Sequence, residues 1–397
     1  MSIAITNASL LFGRELDHIE QGYVEVENGR IKSAGTGRYN GSGKRLDAKG
    51  FLVMPGLVNA HTHIADSIGK DIGAGHRLDA RVHPVFGAKR KIIQKSQPEH
   101  LKTFIRNSAI SMMKNGIVAF ADFREDGPEG VKLLKEAIAG LPIKCVALGR
   151  IAHYSDLKDA AGIPTEAMEQ ARRVLEIADG LGISGANENT DAALAQYREL
   201  AGKKLVAIHA AESKETVEFS KAHTNRSEID RIMDRLKPNF VVHMTNASEN
   251  EISLVAKSET GVVICPRANG VLGAGIPKVA QMLKQGCLVA IGTDNVMLNS
   301  PDLLRELDYI WKASRATEGE MIQPRELLKL TTVNSAQILR LNSGCIEAGR
   351  AADLLFIDKK HVDLYPMHDP YAAVVHRLSQ SSIRAVMIDG RFVEATN

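Results

Sequence analysis

Eight short apolar runs, rich in β-branched residues, recur along the middle of this chain, and segments of helical period lie between or after them. The runs cover 52–58, 117–120, 143–148, 181–186, 205–208, 240–242, 261–264 and 288–291. Strands alternating with helices predict a parallel sheet covered by those helices, and eight is the number that closes a (β/α)8 TIM barrel. The helical segments include HLKTFIRNSAISMMKNG, EGVKLLKEAIAG and EAMEQARRVLEIADG, and each ends in the Gly that favours a helix C-terminus. SPDLLRELDYIWKASRA follows the eighth run. A doubly wound open sheet competes with the barrel, but no GxGxxG follows an early strand to support it. The barrel is expected over 54–343.

The two ends of the chain read differently. Tyr23-Val24-Glu25-Val26 alternates and is followed by Asn28-Gly29, a hairpin signal. Residues 352–358 and 383–391 are further short strands closed by polar or Gly turns. Neither end can bury much apolar surface alone. A composite β-sandwich domain, 1–53 plus 344–397, is therefore expected from both termini.

Composition removes several functional classes. The 50 basic and 47 acidic residues are interspersed, with no basic block, so nucleic acid is not an expected partner. No apolar run reaches the roughly 20 residues of a membrane helix, so no membrane partner is expected either. The first 17 residues have no basic-then-apolar leader pattern, and Cys145, Cys265, Cys287 and Cys345 are far apart without a CxxC pair. A soluble, cytoplasmic protein is expected, and a homodimer fits a barrel of this size.

The chemistry gathers at strand ends. PGLVNAHTH closes the first run with His61 and His63, which point to one face because strand side chains alternate. Thirteen histidines give about 0.4 His-x-His pairs by chance, so the pair alone is weak. His209 ends the fifth run, His243 the sixth and Asp294 the eighth. Each alone fits a buried or capping residue better than a ligand. All five at the same edge of the first, fifth, sixth and eighth barrel strands is a metal-site pattern, at the edge where barrel sites form.

With PGLVNAHTH, the His-x-x-Glu of His209-Ala210-Ala211-Glu212, His243, CPRAN at 265–269 and GTDN at 292–295, the chain resembles the amidohydrolase superfamily. The nearest branch in character is the cytosine-deaminase-like and chlorohydrolase-like one. GRIKSAG near the start, and GCIEAGRAADLLFID with AVMIDGRFV near the end, extend the resemblance over essentially the whole chain. It implies a barrel with a terminal β-sandwich, and one divalent ion held by His61, His63, His209 and Asp294. Zinc suits these ligands best, with iron or manganese as alternatives. Binuclear members carry a bridging carboxylated lysine at the fourth strand; here that region reads GISGANENTD, without lysine, although Glu188 could bridge.

The resemblance also implies roles. A divalent ion lowers the pKa of its water and so supplies a hydroxide nucleophile. Asp294 accepts the proton, Glu212 protonates a ring nitrogen, and His243 orients or stabilises the developing oxyanion. Glu212 alone also fits a helix N-terminal carboxylate. The expected reaction is deamination of a small nitrogen heterocycle such as a purine, pyrimidine, pterin or triazine. A cyclic amidohydrolase, another C–N or C–Cl hydrolase using the same site, and an inactive scaffold are the alternatives. Arg124, His153, Asn187, Arg267 and Asn269 are candidate substrate contacts, with Glu125 and Asn299 beside them. Relatives that deaminate thiomethyladenosine or adenosylhomocysteine commonly carry a Trp-Leu pair soon after the first helix-loop; the segment 66–93 has no Trp, which argues against a nucleoside and leaves either a lid or an ordinary loop.

Overall fold

The computed structural model describes residues 2–76, 78–82, 87–151, 154, 157 and 161–393. The barrel strands are Leu57–His63, Ile117–Arg124, Lys144–Gly149, Gly180–Ile183, Leu205–Ala210, Phe240–His243 and Gly261–Ile264. The eighth is split into Val289–Ile291 and Asp294–Asn295. Every neighbouring pair is parallel. Val289–Ile291 pairs with the seventh strand, and Asp294–Asn295 pairs with Thr62 and His63 of the first, so the sheet closes.

Closure depends on one glycine. Gly292 donates its N–H to Ile264 O at 2.9 Å, and Thr293 donates to His61 O at 3.0 Å. A Cβ on Gly292 would lie 2.6 Å from His61 Cβ and 2.8 Å from His61 N and O. Only glycine lets the eighth strand approach the first this closely. Gly292→Ala should therefore destabilise the fold by about 1–3 kcal/mol, as overpacking does. Thermal melts would measure it, and displacement of His61 should lower metal content as well.

The helices follow the sequence closely. Pro98–Lys114 buries Leu101, Ile105, Ser108, Ala109 and Met112, one stripe at helical spacing. Leu303–Glu318 starts where the Asp302 carboxylate accepts from Leu304 N and Arg305 N, and stops at Gly319 in a left-handed conformation. Among the described residues, no helix is long and apolar enough to cross a membrane.

Two boundaries differ from the sequence reading. The apolar run 52–58 is two strands: Phe51–Pro55 pairs antiparallel with Leu354–Asp358 in the terminal sheet, whereas Leu57–His63 opens the barrel. Pro55 has no N–H to continue a ladder, Gly56 N donates to Asp353 O, and a Cβ on Gly56 would strike Val118. The run 181–186 ends as a strand at Ile183, because the small and polar residues beyond it turn, with Asn189 N bonded to Ala186 O.

The terminal sheet has eight strands, five from the first 55 residues and three from beyond residue 353. Asn28 and Gly29, with φ of 52° and 77°, make the two-residue turn between Asp17–Glu27 and Arg30–Thr36. The sheet is one hydrogen-bonded ladder folded back on itself, since Ile31 N bonds Arg350 O and Ala352 N bonds Gly29 O. Ile5, Leu10, Val24, Ile31, Leu354 and Met387 form its own apolar core, separate from the barrel's.

Candidate metal centre and active-site cavity

The strand ends bring His61, His63, His209 and Asp294 together. His61 Nε2 lies 3.3 Å from Asp294 Oδ1, and His63 Nε2 lies 3.6 Å from the same oxygen. Ligating atoms of His61, His63 and His209 all fall within 4.8 Å of one another. Positive φ at Ala211, His243, Met244 and Asp294 marks the same rim, where strained backbone aims side chains inward.

The tautomers define what fits between them. His63 Nδ1 is 3.2 Å from Phe123 O, and His209 Nδ1 is 3.2 Å from Ile183 O. A carbonyl only accepts, so both Nδ1 atoms carry the hydrogen and both Nε2 atoms present lone pairs. Those two lone pairs face each other at 3.3 Å. Two acceptors at that distance repel unless a cation lies between them. A proton is a poor candidate: burial, and then the Lys89 charge, push His63 down to about 3, and burial holds His209 well below the ordinary range. Burial alone would raise the Asp294 carboxyl, but the His61 hydrogen bond opposes it and the group is held well below the ordinary carboxylate range. Three neutral imidazoles and one carboxylate are a fitting donor set for a borderline divalent metal.

His243 and Glu212 sit beside this set. His243 is completely buried, and Asn269 Nδ2 donates to its Nδ1 at 3.2 Å. Its own hydrogen is then on Nε2, which has no hydrogen-bond partner among the described residues. Glu212 Oε1 lies 3.7 Å from that nitrogen, and ligating atoms of Glu212, His243 and Asp294 all fall within 4.8 Å of one another. A carboxylate and a buried N–H donor therefore share a cavity with the candidate metal-binding cluster.

That cavity, of about 100 Å³, is also lined by Lys89, Arg150, Asn187, Glu188 and Glu228. Asn187 is where the sequence reading expects it, with Nδ2 bonded to Thr216 O. Asn269 is one layer beneath, holding His243 rather than lining the cavity. Arg124 is turned away and buried: Nε donates to Gly130 O, and the guanidinium faces Glu125 and Asp126. Arg267 faces a different groove, where it is 3.5 Å from Glu306 and donates to Asn299. Strand-end position alone misled for these two arginines, because a guanidinium is long enough to reach partners off the cavity lining, Gly130 O and Asp126 for Arg124 and Glu306 for Arg267. His153 lies outside the described residues.

Lys89 and Arg150 are the cations that sequence reasoning missed. Arg150 follows the third strand directly, so the strand-end rule could have found it. Lys89 belongs to the helix Ala88–Lys95 in the segment after the first strand, and no spacing rule places it. It is buried with Nζ 2.6 Å from Glu125 Oε1, and Arg150 is 3.3 Å from the same oxygen. Glu125 in turn lies 3.2 Å from His63 Nδ1, behind the metal donors. From the segment 66–93, Leu78, Val82 and Lys89 line the cavity; residues 77 and 83–86 are outside the description. Glu228 is pushed up to about 8 by burial, and Glu188 is raised for the same first reason.

A model of the amidohydrolase family matches residues 52–393, most of the chain and every residue of this site. The chain belongs to the amidohydrolase family. This amidohydrolase is 37% identical over 395 residues to a protein of Methanothermobacter thermautotrophicus whose name gives it an aminohydrolase character without a substrate, with 99% of each chain covered. It is 27% identical to the 5-methylthioadenosine/S-adenosylhomocysteine deaminase of Halobacterium salinarum, over 94% of this chain and 88% of that one. Two zinc-bound crystal structures share the fold. An adenosine deaminase from Xanthomonas campestris superposes with a TM-score of 0.85 at 21% identity, covering 98% of this chain and 92% of that one. The atrazine chlorohydrolase of Arthrobacter aurescens reaches 0.86 at 18% identity, covering 98% and 94%. The amidohydrolase is thus a hydrolytic enzyme, a TIM barrel carrying a β-sheet domain.

Proposed function

We propose that this amidohydrolase releases ammonia from an amino-substituted nitrogen heterocycle, using one divalent ion held by His61, His63, His209 and Asp294. The observation that carries the reading is the face-to-face pair of His63 and His209 Nε2 atoms in a cavity shared with Glu212 and the His243 Nε2–H. Zinc is the first choice, with iron or manganese as alternatives, and the absence of lysine at 184–188 favours one ion. A divalent ion bound there lowers the pKa of a water molecule toward neutrality.

The chain's own groups handle the protons. Asp294 accepts one from the attacking water. Glu212 takes it over from Asp294 and delivers it to the ring nitrogen, so that a C–O bond forms at an electrophilic ring carbon. His243 donates from Nε2 to the oxygen as it gains negative charge. Collapse breaks the exocyclic C–N bond, and Glu212 moves the second proton to the departing ammonia. The product is the ring carbonyl compound.

Lys89 and Arg150 favour a ring bearing carbonyl oxygens or an anionic substituent over an unsubstituted one. Trp311 does not serve as an aromatic platform, since it lies outside the cavity lining and stacks on His376 at 4.9 Å. This keeps a free base, pterin or triazine ahead of a nucleoside, against the names of the deaminase relatives. Ammonia release from adenosine, 5-methylthioadenosine, guanine, cytosine, an aminopterin ring and an aminotriazine tests the reading with zinc-loaded protein. Turnover should be confined to one ring class. Silence on the whole panel, with chloride from a chlorotriazine or a ring-opened acid from a cyclic amide, would move the assignment to the rival hydrolase with the same centre.

A further inference from the structure

On a regular strand, residues i and i+3 point to opposite faces, so Glu212 should turn away from the cavity that His209 enters. It does not, because Ala211 adopts φ of 48°, a left-handed conformation that a residue with a Cβ disfavours. Such a turn persists only where its surroundings hold it.

The holding groups are specific. Ala211 N–H donates to Glu228 Oε2 at 2.9 Å. Asn246 N–H donates to Ala211 O at 2.9 Å, and Asn246 Nδ2 donates to Glu212 O at 2.8 Å and to Ala274 O at 2.9 Å. Both faces of the Ala211 peptide, and the carbonyl of Glu212 itself, are thus clamped from outside the His-x-x-Glu turn. Glu228 is itself held rigidly: it is buried and begins a short helix capped by Ser227. Arg231, on that helix, is tied to Asp191, Ala186 O and Asn189 O.

We infer that Glu228 and Asn246 are positioning residues that hold the Ala211–Glu212 turn left-handed and so present the Glu212 carboxylate to the reacting ring. The inference rests on the proposed role of Glu212 as proton carrier. Neither residue stands near the His-x-x-Glu motif in sequence; the fifth-strand and sixth-strand loops bring them to it.

Two readouts on zinc-loaded protein test it, with the panel compound that the wild type turns over fastest as substrate. In Glu228→Leu, amide hydrogen exchange across 209–216 should speed up by about tenfold or more, as protection by the clamp is lost. Its kcat should fall by about 10²-fold, the cost of a roughly 1 Å misplacement, with KM within about threefold and zinc content unchanged. Glu228→Gln keeps an oxygen that accepts from Ala211 N–H and should recover most of the loss. Asn246→Ala, a milder truncation, should reproduce the same kcat-against-KM split. In a Glu212→Gln background, Glu228→Leu should lower kcat by no more than about twofold further, because both changes act through one group. Unchanged exchange, a loss confined to KM or zinc content, or fully additive losses would overturn the clamp. Wild-type turnover in Glu212→Gln would instead overturn the role of Glu212 itself.

Discussion

Replacing Glu212 with glutamine should lower kcat for ammonia release by about 10²–10⁴-fold while bound zinc stays at the wild-type level. Glutamine keeps the length and hydrogen-bonding reach of the side chain but cannot carry a proton between the water and the ring nitrogen. Glu212 is beside His243 and outside the triad of His61, His63 and His209, so its loss should spare the metal. KM should move little, because the lost interaction belongs to the transition state. Steady-state rates with metal analysis on the same preparation decide it. A variant that loses zinc together with activity would make Glu212 a ligand rather than a proton carrier.

Stripping the divalent ion with a chelator should abolish turnover and lower Tm by several degrees, and one equivalent of zinc should restore both. The activity loss follows from the proposed chemistry. The stability loss follows from geometry, since without a cation the lone pairs of His63 and His209 Nε2 face each other at 3.3 Å in a buried site. At a free ion concentration 100 times Kd, binding to the folded state contributes about 2.7 kcal/mol. Calorimetric scans with and without zinc measure the shift. Activity that survives exhaustive chelation would sink the metal-dependent reading, and restoration only by two equivalents would favour a binuclear centre bridged by Glu188.

His61, His63, His209, His243 and Asp294 were legible in the linear chain because each closes an apolar run, and barrel strands deliver their last residues to one rim. Glu212 was legible from its spacing to His209. The left-handed turn that brings its carboxylate into the cavity was not, since Ala211 is a residue type that gives no sign of positive φ. Lys89 was hidden for another reason: it comes from a helix in a long connection, and its burial depends on Glu125. Arg124 and Arg267 show the converse error. Their place in sequence resembles that of true strand-end residues, but their long side chains reach partners off the cavity lining, Asp126 and Gly130 O for Arg124 and Glu306 for Arg267.

Sequence by itself determined the alternation that makes a barrel, the pairing of both termini into a second sheet and the histidines and aspartate that close strands at one rim. These features are local: they depend on periodicity, on turn residues and on which residue follows an apolar run. Tertiary structure alone decided which imidazole nitrogens face one another, which cations line the cavity and which groups surround the Ala211–Glu212 turn. Those outcomes depend on contacts between groups far apart in the chain, such as Glu228 with Ala211 and Asn269 with His243. Burial then sets their strength, because a charge or hydrogen bond removed from water acts on its neighbours far more strongly than one left in it.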